Sequence, residues 1–390
     1  MTNKSKPNLS LYIHWPFCEK KCPYCDFNSH VRPEINQQRW KRALISEIAT
    51  EFYLYPDRRI SSLFFGGGTP SLMEPDTLTA LLQAVDQYWG LEDNVEITLE
   101  ANPSSVEKTR FKNFRSAGVN RLSIGAQSFD DKALKFLGRT HTAREVVEAL
   151  DLARTTFPRY SFDLIYGRPR QSMNSWKEEL TFALEFTNSH LSLYQLTIER
   201  GTPFFSSYRN KKFRMPNEDT AADQYEYTRD VLSCAGLFPY EVSNHAIPGE
   251  ECQHNLTYWR YGDYAGIGPG AHGRISDGKD KLAYHRISNP EKWLLQTERT
   301  GTGLQKKTKL EPSEVLQEMV FMGLRLSEGL DLEEVKKQTG NSIENWVHPD
   351  ILTVLIDEGL LVTTENKLQA TQKGFLRLDS ITSKLLAKLT

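Results

Sequence analysis

Apolar residues in the first half of the chain recur with two different periods. Short β-rich runs read LSLYIHW (9–15), SSLFFGG (61–67), VEITLEA (95–101), RLSIGAQ (121–127), SFDLIYG (161–167) and HLSLYQLTI (190–198). Between them lie longer stretches with helical spacing. Leu44, Ile45, Ile48 and Phe52 make one apolar face; Leu78, Leu81, Leu82, Val85 and Tyr88 make another. Strand and helix alternate about six times at distances that suit βαβ units, which predicts a parallel sheet. The strand ends read GGGTP, EANP, GAQSF and DLIYG, and such ends are where α/β folds build their sites. Six units are fewer than the eight of a closed barrel. The expected fold is therefore α/β, a partial (β/α)6 barrel.

The pattern breaks near residue 201, where RGTPFFSSYRNKKFRMPNED reads as a long connection before a helix near 218–235. An irregular α+β extension rich in Gly and aromatics follows, and then a helical tail. Its helical segments lead to HPDILTVLIDEGLLVTTENKLQATQKG, a helix and two short strands around a turn, like a small winged-helix module. The expected divisions are 1–235, 236–309 and 310–390. Winged modules often read DNA, but no basic face is evident here, so a packing or docking role is expected and no nucleic-acid partner.

Composition narrows the class only a little. The 390 residues are 39% hydrophobic and 25% charged, ordinary for a globular chain, and the formal net charge of −2 gives no pull toward polyanions. No apolar run approaches the roughly 20 residues that span a bilayer, and MTNKSKPNLS has no signal-peptide core. The expectation is a cytoplasmic protein with reduced thiols, so five cysteines do not read as a disulfide framework.

Three of those cysteines, Cys18, Cys22 and Cys25, stand in CEKKCPYC, a C-x3-C-x2-C spacing. A structural zinc site wants four ligands, and His14 or Asp26 would have to supply the fourth from unusual positions. Three unrelated core thiols are a poorer account of so tight a group. A [4Fe–4S] cluster takes thiolate ligands, and three of them leave one iron open for a small ligand.

With that spacing after LYIHW, the sequence resembles the radical S-adenosylmethionine (SAM) superfamily. The resemblance implies a [4Fe–4S] cluster on the three cysteines, its open iron chelated by SAM, and a radical SAM barrel. It implies further SAM-site residues. Gly67, Gly68 and Thr69 in FFGGGTPS resemble the family's glycine motif; read alone, they are a tight turn whose glycines allow close backbone approach to a ligand. Glu100, Gln127, Arg139 and Asp163 hold the ends of later segments, where each alone reads as a structural polar residue. Tyr12 and Tyr24 are placed to pack against cluster and adenosine.

The motifs CPYCDFNSH, GGGTPS, EANP, RLSIGAQSF, DLIYGRP and CQHNLTYWRYGDYAGIG further resemble the HemN/HemW group over nearly the whole chain. One branch of that group oxidises coproporphyrinogen III without oxygen. It carries another cysteine two residues after the third and a longer segment ahead of the cluster. Here that cysteine's place is Phe27, which puts oxidase chemistry in doubt. The HemW branch, heme chaperones, has the H-N-x-x-Y-W motif found as HNLTYW at 254–259. Resemblance thus implies heme as a further cofactor, His254 as its ligand, heme-accepting partner proteins that include membrane ones, and monomer–dimer exchange. Without it, His254 reads as a satisfied loop histidine. Cys252 is a lesser ligand candidate, Cys234 reads as packing, and His14, His245 and His272 have no role, though His272 is near enough in sequence to share a pocket with His254. A zinc-stabilised nucleic-acid binder remains the rival from another class.

Overall fold

The computed structural model describes residues 6–387, the Val106 side chain excepted. Its centre is one mixed sheet. We number its strands β1 (Asn8–Trp15), β2 (Arg59–Gly67), β3 (Glu96–Ala101), β4 (Arg121–Gln127), β5 (Arg159–Tyr166), β6 (His190–Gln195), β7 (Phe238–Pro239), β8 (Asn244–Ala246), β9 (Tyr264–Ile267), β10 (His272–Asp277), β11 (Asp280–Arg286) and β12 (Leu304–Lys309). Their order is β12-β11-β10-β9-β1-β2-β3-β4-β5-β6-β8-β7. The six expected strands, β1 to β6, stand side by side in chain order and all pair in parallel.

Each parallel strand alternates between two buried faces. In β1, Leu9, Leu11, Ile13 and Trp15 pack into the main apolar core. Ser10, Tyr12 and His14 take the opposite face by the period of two. That second face is polar along the sheet, with Ser10, Ser62, Thr98, Ser161 and Ser192 all buried. The covering helices follow from their own patterns. Helix Gln37–Leu54 starts at Asn36, whose side chain accepts the Arg39 N–H, and buries Trp40, Ala43, Leu44, Glu47, Ile48 and Glu51 on one stripe. Helix Pro75–Trp89 has Pro at its start and Gly90 at φ 74° past its end. Helix Ala143–Thr156 carries a full capping box between Thr142 and Glu145.

The extension over 236–309 is less irregular than expected. Strands β9 to β12 join the main sheet, with β9 parallel to β1 from Ser10↔Tyr264 to Ile13↔Ile267. The segment YAGI has too few β-branched residues to announce a strand, and the open edge of β1 supplies what its sequence lacks. A buried ion-pair network fixes this addition: Arg286 on β11 meets Glu51 and Glu47 of helix Gln37–Leu54. The C-terminal part has its own apolar core, built on residues such as Leu316, Val320, Leu361 and Ile381. It includes helix Pro349–Asp357 and a three-stranded sheet formed by Leu330–Asp331, Leu361–Thr363 and Lys367–Ala370. Among the described residues no helix is long and apolar enough to cross a membrane.

Candidate functional site

The loop after β1 folds back on itself. Phe17 and Cys18 pair in parallel with His30 and Val31, and the Cys25 N–H donates to the Cys22 carbonyl at 3.1 Å. Lys21 Nζ reaches the carbonyls of Phe27 and Ser29 at 3.2 and 3.4 Å. Asn28 then clamps the loop to the added strands, donating to the Pro269 and Ser288 carbonyls at 2.9 Å each. All three thiols are free and partly exposed, and all three line one cavity of about 380 Å³. Burial pushes the Cys18 and Cys25 thiols up.

The same cavity is lined by Tyr24, Gly67, Gly68, Thr69, Glu100, Gln127, Arg139 and Asp163. The sequence-predicted strand ends thus converge, because parallel strands in chain order present all their C-terminal ends on one side. Arg139 donates to Cys22 Sγ at 3.4 Å and to the Gly125 carbonyl at 3.0 Å, and also bonds Asn102. Gln127 sits in the left-handed region at φ 69°, a strained conformation of the kind concentrated at sites. Tyr24 rests against Phe204 with ring centroids 6.2 Å apart.

The glycine turn lines the cavity, and its N–H groups are engaged within the protein: Gly67 donates to Glu100 Oε2 at 3.2 Å, Gly68 to the Trp15 carbonyl at 2.7 Å, and Thr69 to the Phe17 carbonyl at 2.8 Å. A Cβ on Gly68 would stand 2.6 Å from the Phe17 carbonyl oxygen. The small residues let this turn lie directly on the chain leading to Cys18. Asn102 was missed; it links Thr69 Oγ1, at 3.2 Å, with Arg139, and its place in EANP beside Glu100 was the available signal.

Two expected members are elsewhere. Tyr12 lies on the polar face of β1, bonded to His14 Nδ1 at 3.1 Å and stacked on His254 at 6.2 Å between centroids. His254 belongs to helix Gln253–Trp259 and is 1% exposed. Its Nδ1 pairs with Ser62 Oγ at 2.9 Å and its Nε2 with the Tyr258 hydroxyl at 2.8 Å. Phe64 stacks on the ring at 4.9 Å, and burial, then Arg121, pushes the imidazole down to about 3. Both nitrogens are in use and the ring is sealed from the cavity, so in this conformation no heme iron can reach it. Cys252 is equally enclosed, its thiol donating to Glu96 Oε1 at 3.4 Å. Cys234 is exposed at the end of helix Glu218–Cys234, not packed inside.

Glu100 and Asp163 form the acidic side of the cavity. Burial, then the neighbouring Asp163 charge, pushes Glu100 up to about 8. Burial pushes Asp163 up to about 6, against Ser192, Arg121 and Arg139. Both carboxyls hold protons in the fold at pH values where the unfolded chain, with ordinary values of 4.5 and 3.8, has lost them. The folded state binds more protons, so stability of the unliganded protein falls as pH rises from about 5 to about 8. Glu100→Gln is expected to flatten that fall, read as urea midpoints at about pH 6 and about pH 8. A slope identical to the unsubstituted protein's removes Glu100 as the cause.

The donor set suits an iron–sulfur cluster with one open iron. Three free thiols from one loop face a cavity whose volume lies within the roughly 300–1,000 Å³ of small-molecule sites. Among the described residues no three His, Cys, Asp or Glu side chains are grouped to hold a single metal ion. A cubane asks for something else, since each thiolate binds a different iron. Opposite the thiols, Glu100 and Asp163 offer carboxylates to a cationic ligand and Arg139 a guanidinium to an anionic one.

Comparison with known proteins agrees with this arrangement. The radical SAM superfamily profile matches residues 12–183, and the HemN C-terminal domain profile matches residues 310–377. The chain is 38% identical over 384 residues to the heme chaperone HemW of Escherichia coli, covering 98% of this chain and 99% of that protein. It is 40% identical over 391 residues to the bovine (Bos taurus) radical S-adenosyl methionine domain-containing protein 1, mitochondrial, covering 97% and 88%. Its fold superposes on the radical SAM enzyme coproporphyrinogen III oxidase (HemN) of Escherichia coli with a TM-score of 0.82, at 24% identity over 98% of this chain and 91% of that one. With these likenesses running almost end to end, the chain belongs to the radical SAM superfamily and, within it, to the HemN/HemW group.

Proposed function

We propose that this chain is a heme chaperone of the radical SAM family. Cys18, Cys22 and Cys25 hold a [4Fe–4S] cluster, and Glu100, Gln127, Arg139, Asp163 and Tyr24 hold SAM against it. When bound, that pair supplies a reducible centre next to a cleavable sulfonium. What this chain's own residues do is narrower: the thiolates anchor, Arg139 ties Cys22 to Gly125 and Asn102, and the carboxyls accept a cation. The protein carries heme and delivers it to heme-accepting partners, including membrane ones, from the cytoplasm, and exchanges between monomer and dimer. The observation carrying this reading is the full-length likeness to proteins named heme chaperone HemW, joined to a cluster loop in which Phe27, 61% exposed at the cavity, stands where the oxidase branch has a further cysteine.

The fold shared with HemN supports the alternative, oxidative decarboxylation of coproporphyrinogen III. One anaerobic experiment separates the two: reconstitute with iron and sulfide, quantify both, titrate hemin, and assay coproporphyrinogen turnover with SAM and reductant. Expected are iron and sulfide in equal amounts, hemin uptake near one per chain, and no porphyrinogen product. Product formation without hemin uptake would reverse the assignment; zinc in place of iron and sulfide would end both readings.

A further inference from the structure

The heme reading needs an axial nitrogen that iron can reach, and the fold takes most of them away. Of nine histidines, five are buried: His14, His141, His190, His245 and His254. His30 has Nε2 bonded to Asn28 Oδ1 at 3.0 Å, and His348 caps a helix in the C-terminal part. Among the described residues, His272 and His285 are the unburied histidines with no hydrogen bond at either ring nitrogen, whereas His30 and His348 each have one engaged.

These two face each other across β10 and β11 in register, with ring centroids 5.6 Å apart and planes at 25°. His272 is exposed and His285 partly so. In the next strand, Lys306 stands in register with His285, making one row of two imidazoles and an ammonium across three strands on one face. Among the described residues Lys306 has no ion-pair partner, and it is exposed. The row is also tied to the cluster loop, because Asn28 grips Pro269 just before β10 and Ser288 just after β11. A propionate-bearing macrocycle needs this combination at a surface: an imidazole with a free lone pair, flat π-surface beside it, and a cation within a strand's spacing.

We propose that His272, paired with His285, is the axial ligand source for heme, with Lys306 meeting a propionate, and that His254 is a structural residue. This rests on the heme reading above. The step is ligand exchange: a neutral imidazole gives its lone pair to the ferric iron, a bound water leaves, and no electron moves. The site differs from the cysteine cavity, so cluster and heme can be held at once.

The test is hemin titration of the full-length, cluster-reconstituted protein, followed by optical and electron paramagnetic resonance spectra. His272→Ala/His285→Ala is expected to weaken hemin affinity by about tenfold or more and to change the iron's ligand-field signature, with added imidazole restoring the spectrum. His254→Gln, checked for folding by circular dichroism, is expected to keep the parent signature. Parent affinity and spectrum in the double variant, or their loss in folded His254→Gln alone, would overturn the assignment. Failure of the unsubstituted protein to take up hemin stoichiometrically would instead overturn the heme reading itself. Because both replaced rings are on the surface, iron and sulfide content should stay at the parent level.

Discussion

Cys18→Ala, Cys22→Ala and Cys25→Ala are each expected to lower iron and sulfide after anaerobic reconstitution by well over tenfold, whereas Cys234→Ser should lower neither. Loss of a residue that merely orients a metal ligand costs about 10- to 100-fold in metal affinity, and these three are the ligands themselves. A cubane on two thiolates has two open irons, which water attacks. Nothing nearby replaces a lost thiolate: Cys252 is buried against Glu96, and Cys234 is exposed on another helix. The measurement is iron and acid-labile sulfide per chain, with the charge-transfer absorbance as a second reading. Parent-level iron in all three variants would mean that the cavity thiols hold no cluster.

Arg286→Met is expected to cost about 3–5 kcal/mol, the usual penalty for removing one partner of a buried ion pair. Arg286 is 1% exposed, donates through Nε to the Gly266 carbonyl at 3.0 Å and through Nη1 to Thr302 Oγ1 at 2.8 Å, and pairs with Glu51. Glu47, beside it, accepts the N–H groups of Gly268 and Gly303 at 2.8 and 2.6 Å and the Trp293 indole N–H at 3.1 Å. Removing the guanidinium strands Glu51, which burial already pushes up and which Arg286 holds down. Two controls make the cause readable in urea midpoints. Acidification should rescue part of the loss, because a protonated Glu51 needs no cation. Arg286→Met/Glu51→Leu should recover most of it, since apolar replacement of a whole buried pair is often neutral. A single variant within about 1 kcal/mol of the parent would show that the network is dispensable.

The parallel half of the fold was legible because its two periods are strong and its strand ends are marked by Gly, Asn and charge. Convergence of Cys18, Gly67, Glu100 and Gln127 on one cavity follows from topology once the strands are parallel and in order, while Arg139 arrives from the stretch after helix Asp131–Phe136 and Asp163 from within β5. Three readings fell short for physical reasons. Backbone N–H groups at 67–69 have partners that a sequence does not display, the carbonyls of Trp15 and Phe17 and the carboxylate of Glu100. His254 became a ligand candidate only through the resemblance carried by HNLTYW and read alone as a satisfied loop histidine; it lies instead on a buried helix, where Ser62 and Tyr258 saturate the ring. Strand β9 was hidden since its pairing comes from β1, more than two hundred residues earlier in the chain.

That pairing has a consequence for biogenesis. While the chain is being made, β1 can acquire β2 early, but its other edge stays unpaired until residues 264–267 leave the ribosome. Asn28 can grip Pro269 only once that residue has emerged, and its second hold waits for Ser288. A nascent chain stopped short of that point carries all three thiols but lacks the clasp that seats their loop. Cluster loading therefore waits for residue 288, and chains truncated before it should yield iron-free protein although they leave every cysteine of the motif in place.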